Sequence, residues 1–146
     1  MKNNGFFCKT LLICILIIFH MPAALAQKKD STYNGHFYCK SEGIHLHLDL
    51  NNASLEVPGY EFLGQTHGFF LGNIYGCWLL TTFSIEKGKA VLRFSNDLGA
   101  DTQNTEITLQ NDSILLMKLT GNNHVRKVEK KKLVKIPTTL QFIKVQ

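Results

Sequence analysis

The stretch Ile-His-Leu-His-Leu-Asp-Leu at residues 44–50 constrains this chain more than any other. Apolar Ile44, Leu46, Leu48 and Leu50 alternate with polar His45, His47 and Asp49. A period of two places successive side chains on opposite faces of an extended strand, whereas a helix would scatter the leucines around its circumference. The stretch therefore predicts a half-buried β-strand. It also assigns an inside and an outside to whatever pairs with it.

Residues 34–40 alternate in the same way, with Gly35, Phe37 and Cys39 on one face and His36, Tyr38 and Lys40 on the other. With Ser41-Glu42 as the hairpin loop, Phe37 faces Leu46 inside and His36 faces His47 outside. A slip of one residue would invert the strand, so this loop fixes the faces. A short strand follows at residues 53–57 and stops at the turn dipeptide Pro58-Gly59. Between residues 59 and 78, Gly64, Gly68, Gly72 and Gly76 are interleaved with Phe62, Phe69, Phe70, Tyr75 and Trp78. So many glycines disfavour a helix. Bent strands and tight turns are expected instead, forming a barrel corner or the rim of a pocket.

Residues 77–86 and 89–95 predict a hairpin turned at Lys87-Gly88. A polar loop is expected at 96–104, then strands at 105–110, 113–120, 124–129, 132–136 and 140–145. The whole implies an all-β domain: an antiparallel meander closed, or nearly closed, into a barrel of about 8–10 strands. Closure removes the exposed edges that an open meander would carry.

The chain has 146 residues, about one domain's worth. Residues 1–26 have the form of a secretory signal peptide: Lys2 and Lys9, an apolar run over 11–19, Pro22, then Ala24-Leu25-Ala26 before an expected cleavage at Gln27. The run is shorter than the roughly 20 residues of a membrane span, so no stable span is expected after cleavage. Residues 27–146 then form a single domain in the periplasm or outside the cell. Removing Lys2 and Lys9 leaves 14 basic residues against 11 acidic ones, a mild excess that does not mark a nucleic-acid binder. Most of it lies in residues 126–135. Lysines there guard a solvated hairpin or edge strand, or meet an anionic partner such as a glycan or lipid headgroup.

Cys39 and Cys77 remain in the exported chain, an even number in an oxidising compartment, so a disulfide is expected, with two buried free thiols as the alternative. Closing that loop would stabilise the fold by roughly 4 kcal/mol in the chain-entropy model. Among polar clusters, His36, Tyr38, His45, His47 and Asp49 share the outer face of the first hairpin. Two imidazoles at i and i+2 stand roughly 7 Å apart at the backbone, so His45 and His47, with His36 from the neighbouring strand, are the candidate metal ligands. Ordinary solvent-facing residues are the competing explanation. Asp97, Asp101 and Asn104 lack the alternating spacing of a calcium loop. No Gly-x-Ser-x-Gly elbow, phosphate-cradling glycine loop or selectable carboxylate pair is present. The sequence thus predicts neither an enzyme nor a resident cofactor.

Gly35-His36-Phe37, followed by a β meander, resembles the Gly-x-Trp start of the lipocalin-type (calycin) barrels, with Phe37 at the tryptophan position. Residues 140–145 (Leu-Gln-Phe-Ile-Lys-Val) are similar to the closing strand of bacterial lipocalin-like domains. The resemblance implies a barrel whose open end holds a small apolar molecule. Phe37, Leu46, Leu48, Trp78 and Phe83 are the expected ligand-binding wall. The alternative is a surface-acting interaction protein (inhibitor, immunity or adhesion-type) that engages an envelope protein and holds no small molecule.

Overall fold

Phe37 pairs with Leu46 and His36 with His47 across the first hairpin, the register that alternation requires. The computed structural model describes residues 32–146. Residues 1–26, expected to be the signal peptide, lie outside the described residues. Strand β1 is Gly35–Cys39, β2 Ile44–Leu48, β3 Leu55–Glu56, β4 Gln65–Thr66, β5 Gly68–Gly72 and β6 Trp78–Glu86. Then come β7 Lys89–Asn96, β8 Thr102–Asn111, β9 Ile114–Thr120, β10 Arg126–Glu129, β11 Lys132–Lys135 and β12 Thr139–Val145. A single 3-10 turn spans Glu61–Leu63. Among the described residues no helix is long and apolar enough to cross a membrane.

Eight strands close into an antiparallel ring in the order β1, β2, β5, β6, β7, β8, β9 and β12, with β12 returning to β1. This is the up-and-down, lipocalin-like barrel expected from the sequence. The remaining strands form two separate pairs, β3 with β4 and β10 with β11. The interior is filled by the inward set of each strand. Phe37, Leu46, Phe70, Trp78, Phe94, Ile107, Met117 and Phe142 are all buried in one cluster. An eight-stranded barrel encloses just enough room for its own side chains, and bulky residues occupy it here.

One boundary differs from the expected one. Strand β8 begins at Thr102, which shortens the polar loop to 97–101. Gln103 and Thr105 occupy inward positions but are polar, so they concealed the alternation. Gln103 is satisfied inside the wall: its Nε2 donates to the carbonyls of Asn104 (2.8 Å) and Thr120 (3.1 Å), and its Oε1 accepts from the His124 amide at 2.9 Å.

The segment carrying β3, the 3-10 turn and β4 lies against the outer wall. Val57 is buried there with Phe69 and Cys77, and Leu55, Tyr60, Leu71 and Leu79 pack around them. The Tyr60 hydroxyl donates to Asp97 at 2.9 Å, which ties the segment to the β7–β8 loop. Asp49 anchors its start: the carboxylate accepts from Asn34 Nδ2, the Asn51 and Asn52 amides, and the Ser54 hydroxyl at 2.6 Å. Those bonds hold its pKa below the ordinary carboxylate value, the Ser54 hydroxyl most of all.

Strand directions sort the connections. The β1–β2 turn, the β5–β6 and β7–β8 loops and the β10–β11 hairpin gather at one end, termed upper. The β6–β7 and β8–β9 turns lie at the lower end, where the Tyr33 hydroxyl donates to the Gly88 carbonyl at 2.7 Å. At the upper end β5 meets the first turn so closely that a Cβ on Gly72 would strike the Gly43 carbonyl, and Gly72 has φ +127°. Gly72→Ala is therefore expected to lower stability by about 2–3 kcal/mol in urea denaturation. Gly59→Ala, where φ is +79° but the space is open, should lower it by about 1 kcal/mol.

Candidate functional site: a cleft at the upper end of the barrel

The upper end also holds open space between its loops. A cleft of about 250 Å³ opens there, with Trp78 as part of its lining. Trp78 is the only tryptophan of the chain. It starts β6, is buried, stacks parallel to Phe70 (5.9 Å between centroids, 5° between planes), and Phe70 in turn meets Phe94 edge-on. Its indole N–H is buried without a hydrogen-bond partner among the described residues. A buried donor left unpaired costs about 1–3 kcal/mol, so this N–H, covered from solvent, is unspent hydrogen-bonding capacity behind the cleft lining.

The rim is apolar and exposed. Tyr75 is 61%, Leu98 77% and Leu133 47% accessible, and all three line the cleft. Polar groups interrupt it. His124 Nδ1 lies 3.6 Å from an Asp101 carboxylate oxygen, and the Gln103 side chain fixes the His124 backbone. Asn96 Oδ1 is spent on the loop, accepting from the Ala100 and Asp101 amides. Arg126 lines the cleft from β10 and has no carboxylate partner among the described residues. Its backbone carbonyl accepts from the Tyr75 amide at 2.7 Å, which holds the hairpin beside the β5–β6 loop.

The residues expected to form a ligand-binding wall are dispersed. Phe37, Leu46 and Leu48 are buried in the barrel core, and Trp78 alone reaches the cleft. Phe83 is half-buried, packs edge-on to His67 at 5.2 Å, and borders an open groove of about 440 Å³ that runs across β6, β7, β8 and the end of β9. The sequence signal that did find the cleft is the glycine–aromatic stretch, which supplies Tyr75 and Trp78 to a pocket rim. Leu98, His124, Arg126 and Leu133 were not singled out for this role, because they come from the β7–β8 loop, the β9–β10 connection and the β10–β11 hairpin, whose meeting is a tertiary fact.

The three candidate metal ligands do meet, on the outer wall, but as a stack. His36 and His47 lie ring on ring (4.1 Å, 8°), His47 continues onto Phe69 (4.6 Å), and His45 leans on Tyr38. His36 Nε2 and His45 Nδ1 share a hydrogen bond at 2.9 Å. Stacking aligns ring faces rather than converging lone pairs. Among the described residues no three His, Cys, Asp or Glu side chains are grouped to hold a metal ion. Asp49 is occupied by the hydrogen bonds given above.

Cys39 and Cys77 are each buried, in different clusters: Cys39 with the barrel core, Cys77 between the wall and the outer segment. The alternation places them on opposite faces of the wall, a fact that cysteine count alone could not reveal. Burial, reinforced by the Asp97 carboxylate, pushes the Cys77 thiol up to about 11. Thiol titration should therefore find Cys39 and Cys77 unreactive in the native protein and both reactive in denaturant.

An eight-stranded up-and-down barrel with a donor-lined cleft at one end is the class of protein these features define. No protein-family model, curated protein or solved structure matches the chain.

The histidine stack carries a pH dependence. Burial, then the neighbouring His36 and His45, lower His47 from 6.5 to about 4, and burial and His45 lower His36. The unfolded chain thus binds these protons first. Stability from the neutral stack is complete above about 6.5 and is lost as pH falls toward 4. Urea midpoints measured across that range should fall with pH in the wild type. His47→Phe, which keeps the stack and removes the titration, should flatten the profile.

Proposed function

We propose that the protein is an exported, non-enzymatic binding module that holds a small amphipathic molecule in the upper cleft. The observation that carries this reading is the buried, unpartnered Trp78 N–H in a cleft ringed by Tyr75, Leu98 and Leu133. A ligand with an apolar body and one acceptor group would cover the exposed rim and, with a small shift of the lining that uncovers the indole, pair that donor. The cleft is slightly smaller than the roughly 300 Å³ of common ligand pockets. A fitting molecule is therefore small, or lies partly over the rim.

The resemblance to lipocalin-like barrels points the same way, since it implies a ligand at an open end. On this reading the site lies at the barrel's mouth, since bulky side chains occupy its centre. Binding rather than turnover suits the lining. His124 has Asp101 beside it but no serine or cysteine among the residues that line the cleft, so the nucleophile of an acyl-transfer site is missing there.

Because Trp78 is the sole tryptophan, its emission reports the site directly. Titration with 8-anilinonaphthalene-1-sulfonate and with decanoate should give a saturable change in tryptophan emission. Arg126→Ala should weaken both about tenfold, the loss of one charge-assisted hydrogen bond. Ala100→Phe, which fills the cleft, should abolish the change. Tryptophan emission indifferent to both probes, or a response that survives Ala100→Phe, would overturn the proposal.

A further inference from the structure

The β10–β11 hairpin stands apart from the barrel wall and pairs only with itself. It is firmly rooted. Val125 and Ile136, at its two feet, are buried in the barrel core, and the Ile136 amide donates to the Val125 carbonyl at 3.2 Å. One face is committed to the protein, with Lys127 Nζ on Glu42 Oε2 at 2.7 Å and Val134 half-buried. The register places Arg126, Val128, Leu133 and Lys135 together on the other face. There Val128 is 60% and Leu133 47% exposed.

Residues 126–135 carry six cations, Arg126, Lys127, Lys130, Lys131, Lys132 and Lys135, against the one acid Glu129. Only Lys127 has an ion-pair partner among the described residues. The turn adds a second anomaly. Lys130 and Lys131 both sit at positive φ (48° and 65°), a conformation that Asn-Gly adopts with less strain. Thus two charges crown the tip of the hairpin where uncharged turn residues would be more comfortable. Exposed aliphatic side chains set among unpaired cations are the composition of a segment that lies in a membrane interface, with methyl groups in the acyl boundary and ammonium groups at the headgroups.

We infer that the open face of β10–β11 docks on an anionic phospholipid surface. The occupant is chosen by charge complementarity together with the apolar pair. A soluble polyanion would use the lysines but gain nothing from Val128 and Leu133, whereas a bilayer uses both. Arg126 and Leu133 belong to this face and also line the cleft, so docking sets the mouth of the cleft against the lipid. Docking does not depend on an occupied cleft.

The test is co-sedimentation of the purified full chain with phosphatidylcholine vesicles, and with the same vesicles containing phosphatidylglycerol, at low and high salt. The N-terminal apolar run is present in every arm, so differences between variants report the hairpin. Wild type should partition onto the anionic vesicles and be released by salt. Lys130→Asn/Lys131→Gly removes two charges and relieves the turn, so it folds at least as well. It should bind anionic vesicles roughly 25-fold more weakly, at about fivefold per charge. Val128→Ser/Leu133→Ser should keep the initial salt-sensitive attraction and lose the part that resists salt. Equal partition onto both vesicles, or unchanged binding by Lys130→Asn/Lys131→Gly, would overturn docking. So would retention on heparin beads without vesicle binding. Ala100→Phe should leave vesicle binding intact, so failure of the cleft and failure of docking are separable.

Discussion

Closure between β1 and β12 is the constraint on which the rest of the structure depends. His36, Phe37 and Tyr38 pair with Val145, Lys144 and Ile143, so the first wall strand binds the last one in the chain. Without that seam both strands would be open edges, and an exposed edge is a template for other chains. Closure also fixes the interior volume, and the inward side chains fill it. Each wall strand alternates one buried set against one wet or covered set, so the ring and the core are one statement about period-two patterning.

A filled interior determines where chemistry can occur. Side chains packed at crystalline density leave no room for a ligand without displacing a neighbour. Two buried side-chain polar atoms lack a partner among the described residues: the Thr105 hydroxyl inside the wall and the Trp78 N–H at the mouth, where strands hand over to loops. The contrast between the buried polar residues makes this concrete. Gln103 faces inward and has each of its bonds met by Asn104, Thr120 and His124. The Trp78 N–H, at the barrel's upper edge, has none. The histidine stack is the opposite case: on the outer wall, His36 and His45 bond to each other and His47 spends its ring on Phe69.

The barrel was legible because its signal is local. Alternation in residues 44–50, and turn chemistry at Ser41-Glu42 and Lys87-Gly88, specify faces and register from neighbouring residues alone. What failed to be legible requires knowing which parts of the chain meet. Strands β3 and β4 were expected near their places in the chain, but the layer they form over β5 and β6 explains why outward Phe69 and Cys77 are buried. Cys39 and Cys77 look like a pair until the wall stands between them. The cleft draws on β6, the β7–β8 loop, the β9–β10 connection and the hairpin, and no periodicity announces such a convergence. The basic run was readable as a lysine-guarded hairpin. Its pairing of Val128 with Leu133 on the open face emerged only from the register.

The hairpin's attachment gives it a role that composition alone does not. Its feet are fixed in the core at Val125 and Ile136, and its flank is tied by Lys127 to Glu42 and by Arg126 to Tyr75. These ties hold Arg126 and Leu133 beside Trp78, while the tip at Lys130-Lys131 extends free of the wall. A force applied at the tip, whether from lipid or from a partner, is therefore transmitted to two residues that border the cleft. The barrel, by contrast, is closed by strand pairing all round and carries bulky side chains at its inward positions. Any adjustment in the shape of the mouth must come from the hairpin and the loops beside it, which are also the segments with the fewest buried apolar contacts.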